Sequence, residues 1–200
     1  MRTVFFDIDT QLDFLYPSGA LYVPKAELIV PAVARLNHFA AANGFPVVST
    51  TDAHTEDDPE FAAWPPHCVA GTLGQRKPEA TLLDGRVTVP NRECELGVDG
   101  ARQIVLEKQT VDVFQCRNIQ RVLERLNGAG YVVYGVVTEI CVFRAVRGLL
   151  QTGKPVTVVT DAVETLKAED SERAMAEMRA AGARLATVAD VCGQPAVSVI

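Results

Sequence analysis

Three groups of side chains in this sequence could do chemistry. The first is Cys141, in Gly135-Val136-Val137-Thr138-Glu139-Ile140-Cys141-Val142, where an apolar run from Tyr131 to Val136 enters a segment carrying Val142, Ala145, Val146 and Leu149 at helical spacing. A cysteine in the first turn of a helix that follows a strand lies among unpaired backbone N–H groups at the positive end of the helix dipole. That setting favours the thiolate and makes Cys141 a candidate nucleophile. The second group is Asp52-Ala53-His54 with His67, the latter in the proline-braced segment Trp64-Pro65-Pro66-His67. A carboxylate and an imidazole two residues apart in extended chain face one side, and a returning second imidazole completes a site for a divalent metal. Glu60 is a candidate fourth ligand. Of the three histidines only His38 lies elsewhere, in a helical pattern without neighbouring His or Cys. The third group is Asp7 and Asp9, at the end of the apolar run Val4 to Ile8. If the strand persists through them, both carboxylates project from the same side at the carboxyl edge of a sheet.

Alternating apolar runs and helical patterns must position these groups. Strands are expected at Val4 to Ile8, Phe45 to Thr51, Gln103 to Leu106, Tyr131 to Val136, Val156 to Thr160 and Arg184 to Val188. The helices between them include one with Pro31 near its first turn and Val33, Leu36 and Ala40 on one face, with Gly44 just past its end. Others run from about Asn118 to Leu126, ending at Gly128, from Cys141 to Gly153, and from Ala168 to Ala181 with Gly182 beyond. Such alternation predicts a three-layer α/β/α fold with a mainly parallel central sheet of about six strands, in a single domain spanning 1–200. Chemistry in such sheets gathers beyond the carboxyl ends of the strands. The stretch 52–100 reads as a long irregular insertion rich in Pro and Gly that carries the metal-binding residues, and the tail to Ile200 as peripheral.

The acidic strand end fits two families. As Asp7-Ile8-Asp9-Thr10 it resembles the first motif of the haloacid-dehalogenase-like phosphatases, with Asp7 as nucleophile. As Asp9-Thr10-Gln11-Leu12-Asp13-Phe14 it resembles the cysteine hydrolases of the isochorismatase-like superfamily. The second resemblance extends through Asp52-Ala53-His54, Trp64-Pro65-Pro66-His67-Cys68-Val69-Ala70-Gly71-Thr72, Glu107-Lys108 and the Cys141 stretch, in order and over Val4 to about Val188. Together these motifs resemble the nicotinamidases and nicotinamidase-related hydrolases.

That resemblance implies a mechanism. Cys141 would attack an amide carbonyl to form a thioester, Asp9 would carry the proton to the leaving amine, and Lys108 would hold Asp9 ionised. The backbone N–H groups of Val137 and Cys141 would form the oxyanion hole, beside a cis peptide at Val136-Val137. One divalent ion, zinc with iron or manganese as alternatives, would be held by Asp52, His54 and His67 and would bind the ring nitrogen of a pyridine. Phe14 and Trp64 would supply aromatic walls. Nicotinamide is the best single substrate, with another amide or a ureido compound as the alternative. A phosphatase using Asp7, or a metal-stabilised binding domain with a dead site, are the readings outside the superfamily. The sequence departs from the resemblance at Ala53 between the metal residues, in Gln109 to Phe114 after Lys108, and at Asp7, an extra carboxylate expected to raise the pKa of Asp9.

Composition narrows the partners. The 200 residues carry a net charge of −6 and 48% hydrophobic residues. No block of Lys or Arg offers a footprint for nucleic acid or an anionic membrane. No apolar run approaches the roughly 20 residues needed to span a bilayer, and the first residues enter a core strand rather than a signal peptide. A cytoplasmic protein acting on a small carboxamide is expected, with a homo-oligomer as the alternative to a monomer. The five cysteines (Cys68, Cys94, Cys116, Cys141, Cys192) include no Cys-x-x-Cys pair and fit reduced thiols.

Overall fold

A computed structural model of the chain describes residues 2–193. In chain order the elements are β1 (Thr3–Ile8), a single turn α1 (Leu12–Leu15), α2 (Val30–Ala42), β2 (Val47–Asp52), β3 (Arg86–Val89) and β4 (Gln103–Lys108). They continue with α3 (Ile119–Leu126), β5 (Gly130–Gly135), α4 (Phe143–Leu150), β6 (Val156–Val163), α5 (Ala168–Ala180), β7 (Arg184–Ala186) and α6 (Val188–Cys192). Among the described residues seven strands form one sheet in the order β3-β4-β2-β1-β5-β6-β7, and every pairing is parallel.

The apolar runs form strands because both sheet faces are covered, so side chains of either parity can be buried. Every residue of β2 and β5 is buried. The chain leaves β1 in one direction along the sheet and β5 in the other. Right-handed crossovers therefore put α2 on one face and α4 and α5 on the other. The contacts agree, with α2 against α6 and α4 against α5. The strand order reverses at β1 and β5, which pair over their full length from Thr3↔Gly130 to Ile8↔Gly135. In doubly wound sheets such a reversal opens a crevice above the carboxyl ends.

The sheet has seven strands where the sequence indicates about six. The additional strand, β3, lies inside the stretch read as irregular. It spans four residues on the sheet edge, with Pro90 following, too short for its periodicity to register. The strand β6 also runs beyond Thr160 to Val163. The α3 helix is closed one residue earlier than Gly128, by Asn127 in a left-handed conformation at φ 44°. The tail to Ile200 lies outside the described residues. Among the described residues no helix is long and apolar enough to cross a membrane.

Candidate active site

Cys141, the Asp52–His54–His67 group and Asp9 meet above the ends of β1, β2, β4 and β5. The β1 strand stops at Ile8, and Asp9 adopts a left-handed φ of 49°. Its N–H donates to Thr50 Oγ1 at 3.1 Å, and the same hydroxyl donates to Asp9 Oδ1 at 2.6 Å. Lys108, the last residue of β4, places Nζ 2.9 Å from Asp9 Oδ2, donates to Asp52 Oδ1 and reaches the Thr110 carbonyl at 3.0 Å. One buried ammonium thus lies between two buried carboxylates.

Cys141 is delivered from β5. Gly135 has φ 120° and a β-carbon there would run into the Ile8 backbone carbonyl, so only glycine fits this approach of β5 to β1. The Val136-Val137 peptide is cis. A π-helical turn over Thr138–Val142 carries Cys141 and leads into α4. Two tethers hold the turn to the loop after β6. Thr138 donates its N–H and its hydroxyl to the Glu164 carbonyl at 2.9 and 2.8 Å, and the Glu139 carboxylate accepts from Leu166 N–H at 3.0 Å and Thr165 Oγ1 at 2.7 Å.

Burial dominates the electrostatics. Desolvation pushes the Cys141 thiol well above its usual 9.0, with Lys108 opposing it and Asp9 adding to it through charge and a hydrogen bond. Helix-end placement favours a thiolate, whereas burial opposes it. Desolvation likewise raises Asp9 above 3.8, against the pull of Lys108 and with help from Asp52. Burial alone would discharge Lys108; Asp52, Asp9 and Cys141 reverse this and keep it a cation. The arrangement can therefore move a proton from sulfur to Asp9 beside a fixed positive charge.

Asp52, His54 and His67 offer ligand atoms that all lie within 4.8 Å of one another. Asp52 Oδ2 is 3.9 Å from both His54 Nε2 and His67 Nε2, too far for direct hydrogen bonds. His54 Nε2 is buried without a hydrogen-bond partner. The rear nitrogens face acceptors: His67 Nδ1 lies 2.8 Å from the Pro65 carbonyl, and His54 Nδ1 lies 3.0 Å from Asp58 Oδ2, an ion-pair contact without hydrogen-bond geometry. Orienting the outer nitrogen so that the inner lone pair faces a shared point is the usual second layer of a metal site, so these residues fit a divalent cation. Asp52 itself is held below 3.8, since Lys108 and His54 outweigh its desolvation.

One cleft collects most of these groups, while Lys108 and His54 stay buried outside its lining. Asp9, Cys141, Asp52, His67 and Glu60 all line it. The half-buried Glu60 is raised above 4.5, by burial first and Asp52 second. The remaining wall is apolar and includes Phe14, Trp64, Val111, Ile140 and Leu166, with the Phe14 ring 5.3 Å from that of His67.

A model of the isochorismatase domain matches residues 3–190. The chain belongs to the isochorismatase family. It is 27% identical to the nicotinamidase of Escherichia coli strain K12, over 92% of this chain and 93% of that one. It is 26% identical to the nicotinamidase/pyrazinamidase of Mycobacterium tuberculosis strain H37Rv, over 89% and 95%. Among solved structures, the pyrazinamidase of Pyrococcus horikoshii in complex with zinc is 26% identical, with a TM-score of 0.77 covering 94% of this chain and 99% of that one. The N-carbamoylsarcosine amidase of Thermoplasma acidophilum, 23% identical with a TM-score of 0.75 over 94% and 97%, shares the fold.

Within this isochorismatase fold the two strand-end aspartates part company. The left-handed turn at Asp9 breaks the two-residue alternation, so Asp7 faces α2 while Asp9 faces Lys108. Asp7 Oδ1 accepts from Thr10 Oγ1 at 2.6 Å and Lys77 Nζ at 3.2 Å, and Oδ2 from Ser49 Oγ at 2.9 Å and Asn37 Nδ2 at 3.3 Å. Fully buried and outside the cleft, Asp7 has no access to a substrate. Both the phosphatase reading and the expectation that Asp7 raises the pKa of Asp9 are set aside. Two residues near the metal group escaped the sequence reading. Asp58 was legible only as an acid four residues after His54, and Phe61, whose ring is 5.2 Å from that of His54 and 5.7 Å from that of His67, carried no signal.

Proposed function

We propose that this amidohydrolase cleaves a small uncharged carboxamide, nicotinamide first among them, to the carboxylic acid and ammonia through a thioester on Cys141. The observation that carries the reading is the buried Asp9–Lys108 pair beside the Cys141 thiol, at a cleft also lined by Asp52 and His67, with His54 grouped with them. Asp9 takes the thiol proton as sulfur attacks the carbonyl carbon. The oxyanion falls to the N–H groups of Val137 and Cys141, and among the described residues no carbonyl accepts from the Val137 N–H. Asp9 returns the proton to the departing nitrogen and ammonia leaves. Water then attacks the thioester, giving its proton to Asp9 and releasing the acid, and sulfur regains a proton. Asp52, His54 and His67, with Glu60 as a fourth, would hold the divalent ion. Zinc is favoured by the Pyrococcus relative, and when bound it supplies a Lewis-acid contact for a ring nitrogen.

Charge discriminates among amides. Among the described residues Asp9, Asp52 and Glu60 line the cleft and no Lys or Arg does, which disfavours ureido acids because their carboxylate would meet no basic side chain and would have to compete for the divalent ion. Ammonia release by metal-replete protein from nicotinamide, pyrazinamide, benzamide and an N-carbamoyl amino acid tests this. Nicotinamide is expected to exceed benzamide, which lacks the ring nitrogen, by about tenfold or more in kcat/KM. Preference for the ureido acid would overturn the proposal. The five free thiols suit a reducing compartment such as the cytoplasm.

The metal assignment has its own check. About one divalent ion per chain is expected. Asp58→Ala, which frees the rear nitrogen of His54, should weaken metal affinity about 10–100-fold when titrated against a chromophoric chelator. Unchanged affinity would remove Asp58 from the site.

A further inference from the structure

The polar group around Asp7 takes no part in the reaction proposed above, yet it is fully enclosed and built from distant parts of the chain. Thr10 is buried at its centre. Its hydroxyl donates to Asp7 Oδ1 at 2.6 Å and accepts from Lys77 Nζ at 2.9 Å. Lys77 and Asp7 also pair directly at 3.2 Å, with both side chains almost completely buried. These contacts close a loop over residues 7–10, and Asp9 sits at its apex with φ 49°.

The neighbouring strand shows what that closure achieves. Ser49 and Thr50 are adjacent on β2 and point to opposite faces. Ser49 Oγ donates to Asp7 at 2.9 Å on the α2 face, while Thr50 Oγ1 donates to Asp9 at 2.6 Å on the face of Lys108. In a continuous strand Asp7 and Asp9 would share a face. The Thr10 contacts instead close on a left-handed Asp9, a conformation that aspartate tolerates better than most residues but that still costs energy without support from its surroundings. The segment bearing Lys77 is itself fastened beside the metal group, since Gln11 Nε2 donates to the carbonyls of Asp52 at 2.9 Å and Gln75 at 2.8 Å, and the Leu12 N–H to that of Arg76 at 2.8 Å.

We propose that Thr10, clamped between Asp7 and Lys77, is a positioning residue that holds Asp9 in the reversed turn facing Cys141. The inference rests on Asp9 acting as the base for Cys141, as proposed above. Thr10→Val removes the hydroxyl, keeps the shape and leaves the Asp7–Lys77 pair able to meet directly. It should lower kcat about tenfold with KM within about twofold, because the loss falls on the geometry of proton transfer rather than on substrate binding. Thr10→Ser, which keeps the hydroxyl, should restore kcat to within about twofold of the parent. A second readout needs no knowledge of the substrate, namely the rate at which iodoacetamide alkylates Cys141, followed on the Cys141 peptide. Thr10→Val should slow it and Thr10→Ser should not, in proteins shown folded by thermal melting. Were the parent to release no ammonia from any carboxamide while Thr10→Val still slowed alkylation, the proposed activity would fall and the positioning role would stand. Thr10→Val with unchanged kcat and unchanged alkylation, or Thr10→Ser as impaired as Thr10→Val, would overturn the role.

Discussion

Cys141→Ala is expected to release ammonia at least about 10³–10⁴-fold more slowly than the parent, because it deletes the covalent step and leaves only the weaker contributions of the oxyanion hole and substrate binding. The folded state should survive, since losing one sulfur from a packed site costs on the order of 1 kcal/mol. Binding of nicotinamide, measured by calorimetry on metal-replete protein, should stay within a few-fold of the parent. Cys68 supplies the control. It too is buried, next to His67, but it lies outside the cleft, so Cys68→Ala should keep most of the rate. Near-parental turnover in Cys141→Ala would end the thioester mechanism.

Asp9→Asn should follow closely, slowing turnover about 10²–10⁴-fold. The amide keeps the shape of the side chain but cannot take the thiol proton, and burial opposes unaided ionisation of Cys141. The sign of the pH dependence follows from the same group. Asp9 must be ionised to act as base, and burial raises its pKa above 3.8 despite Lys108. The parent should therefore lose activity as pH falls through that raised value, and Asp9→Asn should lack that limb. Metal occupancy has to be measured at each pH, because protonation of His54 and His67 would release the ion and produce an acid limb of its own. Parental turnover with an unchanged acid limb in Asp9→Asn would exclude Asp9 as the base.

What the sequence conveyed and what it concealed divide along physical lines. The central strands were legible because burial on both faces writes them as continuous apolar runs; Asp9, Asp52, His54, Lys108 and Cys141 stood out because each lies at or shortly after such a run, and His67 because it is a second imidazole in a proline-braced segment. The structure gathers them at one sheet edge. Strand β3 was hidden because four edge residues carry almost no pattern. Asp7 was misplaced because periodicity assumes an unbroken strand, and nothing in residue types announces a left-handed aspartate at position 9. The desolvation that opposes ionisation of Cys141 was not legible, because a helix dipole can be read from sequence whereas the burial around a sulfur cannot. Asp58 and Lys77 were missed because their partners are set by how the stretch 52–100 folds back, not by spacing.

The full-length pairing of β1 with β5 has a consequence for how the enzyme comes into being. The first strand of the chain finds one of its two neighbours only after some 130 residues have been made, and such long-range pairings are late to form because loop closure precedes any reward from contact. Asp9 leaves the end of one of these strands and Cys141 the end of the other. The base and the sulfur therefore meet through the same event that joins the two halves of the sheet. A nascent or partly refolded chain can own every residue of the site and still be inert, so catalytic activity on refolding should return with the last cooperative phase and never ahead of it.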